Sequence, residues 1–134
     1  METMLRRRLL TATLFPILAA TGATLVPAAA QAADPLRIRA LQCFSFQAGS
    51  NYGKINCSVT WDGGEDPSTG VFQVVGGNLR DRQESSDSVA RRATYSATCW
   101  TPTEVSVTAT VTDARGTAVL SQFETRCNAG RPGP

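Results

Sequence analysis

Between Leu36 and Cys127 the dominant hydrophobic period along the chain is two. From Lys54 to Trp61, the residues Ile55, Cys57, Val59 and Trp61 alternate with Lys54, Asn56, Ser58 and Thr60, which predicts a half-buried strand. Glu104–Thr112 repeats the pattern, with Val105, Val107, Ala109 and Val111 on one face and serine and threonines on the other. After the turn residues Asp113-Ala114-Arg115-Gly116, the positions Val119, Ser121, Phe123, Thr125 and Cys127 share a face, so this segment closes a hairpin with the preceding strand. Weaker strands are predicted over Leu36–Phe46, with a bulge near Ala40 where the apolar phase slips, and over Val71–Val75 and Val89–Thr98. Breakers separate the runs: Ala48-Gly49-Ser50-Asn51, Asp62-Gly63-Gly64, Pro67-Ser68-Thr69-Gly70, Gly76-Gly77-Asn78 and the polar stretch Arg80–Ser88. No segment of this region carries an amphipathic helical period. The expected fold is therefore all-β, an antiparallel sandwich of six to seven strands of the immunoglobulin-like kind over residues 33–127, followed by a flexible tail over 128–134.

The first 32 residues follow different rules. The basic cluster Arg6-Arg7-Arg8, an apolar run from Leu9 to Leu18 and the small-residue site Ala30-Gln31-Ala32 are the three parts of a secretory signal peptide. Pro16 and Gly22 interrupt the apolar stretch, which is shorter than the roughly 20 residues that a spanning helix needs. Cleavage after Ala32 is expected to release the protein with no membrane insertion. The arginines loosely meet a twin-arginine pattern, but no cofactor motif follows, which favours the general secretory route. Met1 and Met4 both remain open as the start.

The leader also changes the reading of charge. It holds three of the 13 basic residues and one of the 11 acidic ones, so the remaining chain of roughly 100 residues is balanced. A balanced chain lacks the basic stripe expected of a nucleic-acid or anionic-membrane binder. Arg80, Arg82, Arg91 and Arg92 lie among Asp81, Glu84 and Asp87, the pattern of a solvated face.

Export gives the four cysteines, Cys43, Cys57, Cys99 and Cys127, the meaning of two disulfides. Pairing Leu41–Phe46 with Lys54–Trp61 around Ser50 sets Cys43 opposite Cys57. In the last hairpin, centred between Ala114 and Arg115, the mirror of Cys127 falls near Pro102, within reach of Cys99. Bridges Cys43–Cys57 and Cys99–Cys127 are thus preferred over the crossed arrangements, because bridged Cα atoms must lie within about 7 Å. Zinc is disfavoured by the lack of any histidine and of C-x-x-C spacing.

Candidate chemistry is sparse. Without histidine, neither a Ser-His-Asp nor a Cys-His constellation can be assembled, so the chain is read as no enzyme, with no cofactor and no catalytic residue. Asp62, Glu65 and Asp66 around Gly63-Gly64 are candidates for a binding surface, and for calcium through their oxygens, but match no calcium-loop spacing; a polar turn explains them equally, and no metal is expected. Trp61 is expected in the core against the first disulfide. For Trp100, which precedes Thr101-Pro102, exposure and burial are both open, and Trp100 and Thr101 complete the candidate surface.

The segments Cys57-Ser58-Val59-Thr60-Trp61-Asp62-Gly63-Gly64, Thr98-Cys99, Val107–Gly116 and Thr125-Arg126-Cys127 together resemble secreted bacterial immunoglobulin-like modules. The Val-Thr-Asp-x-x-Gly hairpin is also similar to polycystic-kidney-disease-type domains. The resemblance spans Leu36 to Cys127 and implies a scaffold without chemistry. It departs in lacking a second tryptophan in Val71–Val75, where Phe72 is the substitute core residue. Two functions are then carried forward: a secreted monomeric module that binds an extracellular protein or glycan at the cell envelope, and a secreted protease inhibitor. The second rests on a looser resemblance to the subtilisin-inhibitor family, whose reactive loop would correspond to Trp100–Thr103, with Pro102 as a departure. N-terminal sequencing of the protein from culture supernatant should read from Ala33; an intact leader in a membrane fraction would contradict export.

Overall fold

The computed structural model describes residues 33–127; the leader, its cleavage site and the tail expected over 128–134 lie outside the described residues. Among the described residues seven strands follow one another without a helix: β1 (Arg37–Gln47), β2 (Tyr52–Asp62), β3 (Thr69–Gly76), β4 (Arg80–Asp87), β5 (Arg92–Trp100), β6 (Glu104–Thr112) and β7 (Ala118–Arg126). They form two antiparallel sheets, ordered β1-β2-β5-β4 and β3-β6-β7. Among the described residues no helix is long and apolar enough to cross a membrane.

The alternation works as expected. Ile55, Cys57, Val59 and Trp61 of β2 face Val105, Val107, Ala109 and Val111 of β6 across the core, joined by Ala93, Tyr95, Ala97 and Cys99 of β5 and by Phe72 and Val74 of β3. Phe72 takes the expected core position and packs on Tyr95, ring centroids 5.8 Å apart. Most of these side chains are small, so the sheets approach closely. At Gly70 a Cβ would lie 2.8 Å from that of Ala93 and 3.1 Å from the Trp61 ring, and only a glycine fits. Trp61 is thus in the core, where it packs on the start of β3, and its indole N–H donates to Ser68 Oγ at 2.8 Å. The Tyr95 hydroxyl is buried with no hydrogen-bond partner among the described residues, and burial raises its pKa.

Sequence and structure differ most at β4. Arg80–Ser88, expected as a loop, is an edge strand over Arg80–Asp87, offset by a bulge between Arg80 and Gln83. All eight of its side chains are exposed, so no apolar period could announce it. Its hidden work is polar: Ser86 Oγ and Glu84 Oε1 accept the N–H groups of Gly70 and Phe72 at 3.0 and 2.7 Å, capping the free edge of β3. Val89–Thr98, expected as one strand, begins only at Arg92. Val89 is 94% exposed in a tight turn, where Asp87 Oδ1 accepts the N–H groups of Val89 and Ala90, both at 2.9 Å. Thr69 and Gly70, read as turn residues, already belong to β3. The bulge near Ala40 is present between Ile38 and Ala40.

Both bridges have the expected partners, Cys43–Cys57 and Cys99–Cys127. The first joins residues directly opposite in the β1–β2 ladder. The second differs in kind, because the β6–β7 register sets Val105 against Thr125, one residue off the pairing that the expected hairpin centre gives, and Cys127 donates its N–H to Thr103. Cys99 lies in one sheet and Cys127 follows the last strand of the other, so this bridge ties the sheets together. Loop-closure entropy gives about 3 kcal/mol for the 14-residue separation and about 3.5 kcal/mol for the 28-residue one. Cys99 and Cys127 are both fully buried, while Cys43 is partly exposed. Mild reductant under native conditions should therefore open Cys43–Cys57 first, read by alkylation and peptide mapping; simultaneous opening would contradict a core position for the second bridge.

Candidate functional site

Asp62 closes β2, and Glu65 and Asp66 stand in the loop from β2 to β3, where Gly63 adopts φ 67° and a Cβ would lie 2.0 Å from the Pro35 carbonyl oxygen. Each carboxylate faces its own arginine. Arg37 binds Asp62 with Nε at 2.6 Å and its second nitrogen at 3.2 Å, and this hydrogen bond holds Asp62 below the usual carboxylate range. Arg91 reaches Asp66 at 3.0 Å and also donates to the Gly63 carbonyl. Arg115 lies 3.1 Å from Glu65. The three acids therefore diverge onto separate cations instead of converging on one point. Among the described residues, no three His, Cys, Asp or Glu side chains are grouped to hold a metal.

Beneath this loop lies Asp113, whose side chain is only 1% exposed. Its Oδ1 accepts the N–H groups of Arg115 and Thr117 at 3.1 and 2.9 Å, and its Oδ2 that of Glu65 at 3.2 Å. Burial alone would raise its pKa; the three backbone donors and the Arg115 guanidinium together outweigh that and lower it. Asp113 thus pins two loops at one end of the sandwich, and its function is structural.

At the opposite end, Trp100 closes β5 and Thr101–Thr103 form the turn into β6. The backbone here is engaged: Trp100 N–H donates to Gly77 O at 2.8 Å, Thr101 N–H to Asn51 O at 3.1 Å, and the Thr103 hydroxyl to Trp100 O. Trp100 is half-buried, with its indole on the outer face of the sheet. Trp100 and Thr101 are therefore far along the fold from the acidic loop, and the five candidate residues form two separate regions.

What Trp100 does join is a trough along the outer face of β1-β2-β5-β4. The ladder aligns outward residues in rows: Ser58 with Thr94 and Ser85, Asn56 with Ser96 and Gln83, Lys54 with Thr98, and Tyr52 with Trp100. Three adjoining depressions of about 450, 330 and 240 Å³ run down these rows, the first two sharing Asn56, Gln83 and Ser96, the last two sharing Asp81 and Thr98. Sequence reasoning missed Asn56, Gln83 and Ser96. Their only signal was the polar half of the alternation, which reads equally well as a solvated surface.

Comparison with protein-family models, curated proteins and solved structures yields no match for this chain.

The Asp113 arrangement makes a clear prediction. Its lowered pKa means that it stabilises the fold above the ordinary carboxylate range, and that this contribution is lost as pH falls through the folded-state pKa. Asp113→Ala should lower the melting temperature by about 5–10 °C at neutral pH. Thermal melts across pH should show this gap narrowing in acid; a gap independent of pH would contradict the ionised role.

Proposed function

We propose that the chain is an exported, non-catalytic module of the immunoglobulin-like kind that binds a ligand at the cell envelope through the outer face of β1-β2-β5-β4. The observation that carries this reading is the trough, a continuous polar surface on a sheet whose central strands β2 and β5 turn their opposite face into the core. The strand order β1-β2-β5-β4 over β3-β6-β7 matches the ABED and CFG sheets of a constant-type immunoglobulin sandwich, which supports the scaffold assignment. The bridges sit elsewhere than in antibody domains: one lies within a sheet and one at the end of the sandwich. Two disulfides and the signal-like sequence of residues 1–32 support export. The lack of histidine and the pairing of the loop carboxylates with arginines support a binding role over catalysis.

The inhibitor reading gains less support. A reactive loop must offer its backbone to a protease, whereas Trp100 and Thr101 already donate their N–H groups within the fold and only three residues link β5 to β6.

Retention of the oxidised protein on envelope fractions of the producing organism tests the binding face. Gln83→Ala with Ser96→Ala should lower retention by about ten-fold, while Thr108→Ala with Gln122→Ala, on the outer face of the other sheet, should leave it unchanged. Equal retention of both variants would contradict the proposal, as would stoichiometric loss of subtilisin activity on adding the protein.

A further inference from the structure

We propose that the trough takes a single neutral oligosaccharide chain, laid along the strands, with one sugar ring against Trp100 and Tyr52 and the hydroxyls of its neighbours bonded by Asn56, Gln83 and Ser96. The inference rests on the reading of this face as the binding surface and names the chemistry of its ligand.

The first argument is the state of the polar groups. Ser85 Oγ and Thr94 Oγ1 bond to each other at 2.7 Å, and the Thr98 hydroxyl is directed to Asp81 at 3.4 Å. Asn56, Ser58, Gln83 and Ser96 make no side-chain hydrogen bond to any described residue. Two amides flanking a hydroxyl in one row present both donors and acceptors, which is what a chain of sugar hydroxyls, each donor and acceptor at once, requires.

A second argument comes from the aromatic end. Tyr52 and Trp100 are directly opposite in the β2–β5 ladder and line one depression. Their positions are fixed from behind: the Tyr52 ring lies so close over Gly49 that a Cβ there would come within 2.1 Å of it, and the Trp100 N–H is held by Gly77. The electron-rich ring faces suit the C–H face of a sugar, and the indole N–H has no bond within the described residues and remains a donor. From the Ser58–Thr94 row to the Tyr52–Trp100 row the sheet runs about 20 Å, enough for several sugar rings in line.

Charge and apolar content argue against other occupants. Each cation beside the trough has a carboxylate close by: Arg92 stands opposite Asp87 in the β4–β5 ladder, and Lys54 and Arg80 each share a depression with Asp81. A polyanion would gain little there. In the middle rows β2, β5 and β4 present no apolar side chain, and the apolar groups there, Phe44 and Phe46, stand at the β1 rim opposite Asn56 and Lys54, whereas a protein partner would seek an apolar centre.

Native affinity electrophoresis of the secreted, oxidised protein is the test, with laminarin, xylan, galactomannan or dextran cast in the gel, and polygalacturonate as the acidic comparison. At least one neutral chain should retard migration, and calorimetry with that chain should give an affinity insensitive to salt. Trp100→Ala and, separately, Asn56→Ala with Gln83→Ala should each weaken binding by about ten-fold or more, while Leu120→Ala on the opposite face should not. The Asn56 and Gln83 substitutions touch no core residue, so they keep the test valid if Trp100→Ala unfolds, which circular dichroism would reveal. Retardation by polygalacturonate alone, weakening with salt, would overturn the neutral ligand. Retardation unchanged in the trough variants would overturn its location. No retardation by any neutral chain, with envelope retention still dependent on Gln83 and Ser96, would overturn the sugar while leaving the binding face intact; loss of both would remove the binding face as well.

Discussion

The covalent link between Cys99 and Cys127 joins the end of β5 to the residue after β7, and thereby one sheet to the other. Small inward side chains make such a link effective. Ala93 and Ala97 lie on the same strand face as Cys99, and Gly70 lies under Trp61, so the sheets approach with little apolar area per residue. A core of valines, alanines and cysteines buries less surface than one rich in leucine and phenylalanine, and cross-linking offsets part of the difference by restricting the unfolded chain. Trp100 is the next residue after the bridge and points the opposite way. The aromatic end of the trough is therefore anchored one residue from the strongest tie in the molecule.

The two sides of the sandwich are closed by side chains instead of by further strands. Glu84 and Ser86 of β4 cap the N–H groups of β3 on one side, and on the other the Ser45 hydroxyl donates to the Arg126 carbonyl at 2.7 Å. Strand edges so occupied resist pairing with another chain. Charges, meanwhile, are concentrated at the Asp113 end, where Arg37, Arg91 and Arg115 hold the long β2–β3 loop. Neutral hydroxyls and amides are left on the outer face of the four-stranded sheet, away from both the core and the ionic loop.

How much of this was legible followed from where each element sits. β2 and β6 are central strands with one buried face, so their alternation was plain and β6 was read to its exact ends. The β1–β2 register followed from one short turn, and with it Cys43 opposite Cys57. β4 could not be read, because an edge strand with every side chain exposed carries no apolar period. The trough was hidden for a related reason: Asn56, Ser96 and Gln83 meet only through the order β2-β5-β4, in which non-consecutive strands become neighbours. The acidic loop misled in the opposite direction. Asp62, Glu65 and Asp66 are close in sequence, but their arginines come from β1, the β4–β5 turn and the β6–β7 turn, which no local spacing reveals.

The most direct test of the sheet face as a sugar-binding surface is solution NMR of the isotope-labelled protein with a bound neutral oligosaccharide. Intermolecular nuclear Overhauser effects should connect sugar ring protons with the Trp100 and Tyr52 rings, and amide shifts should follow Asn56, Ser96 and Gln83 along the sheet. Effects confined to the opposite face, around Val71 and Leu120, would contradict it.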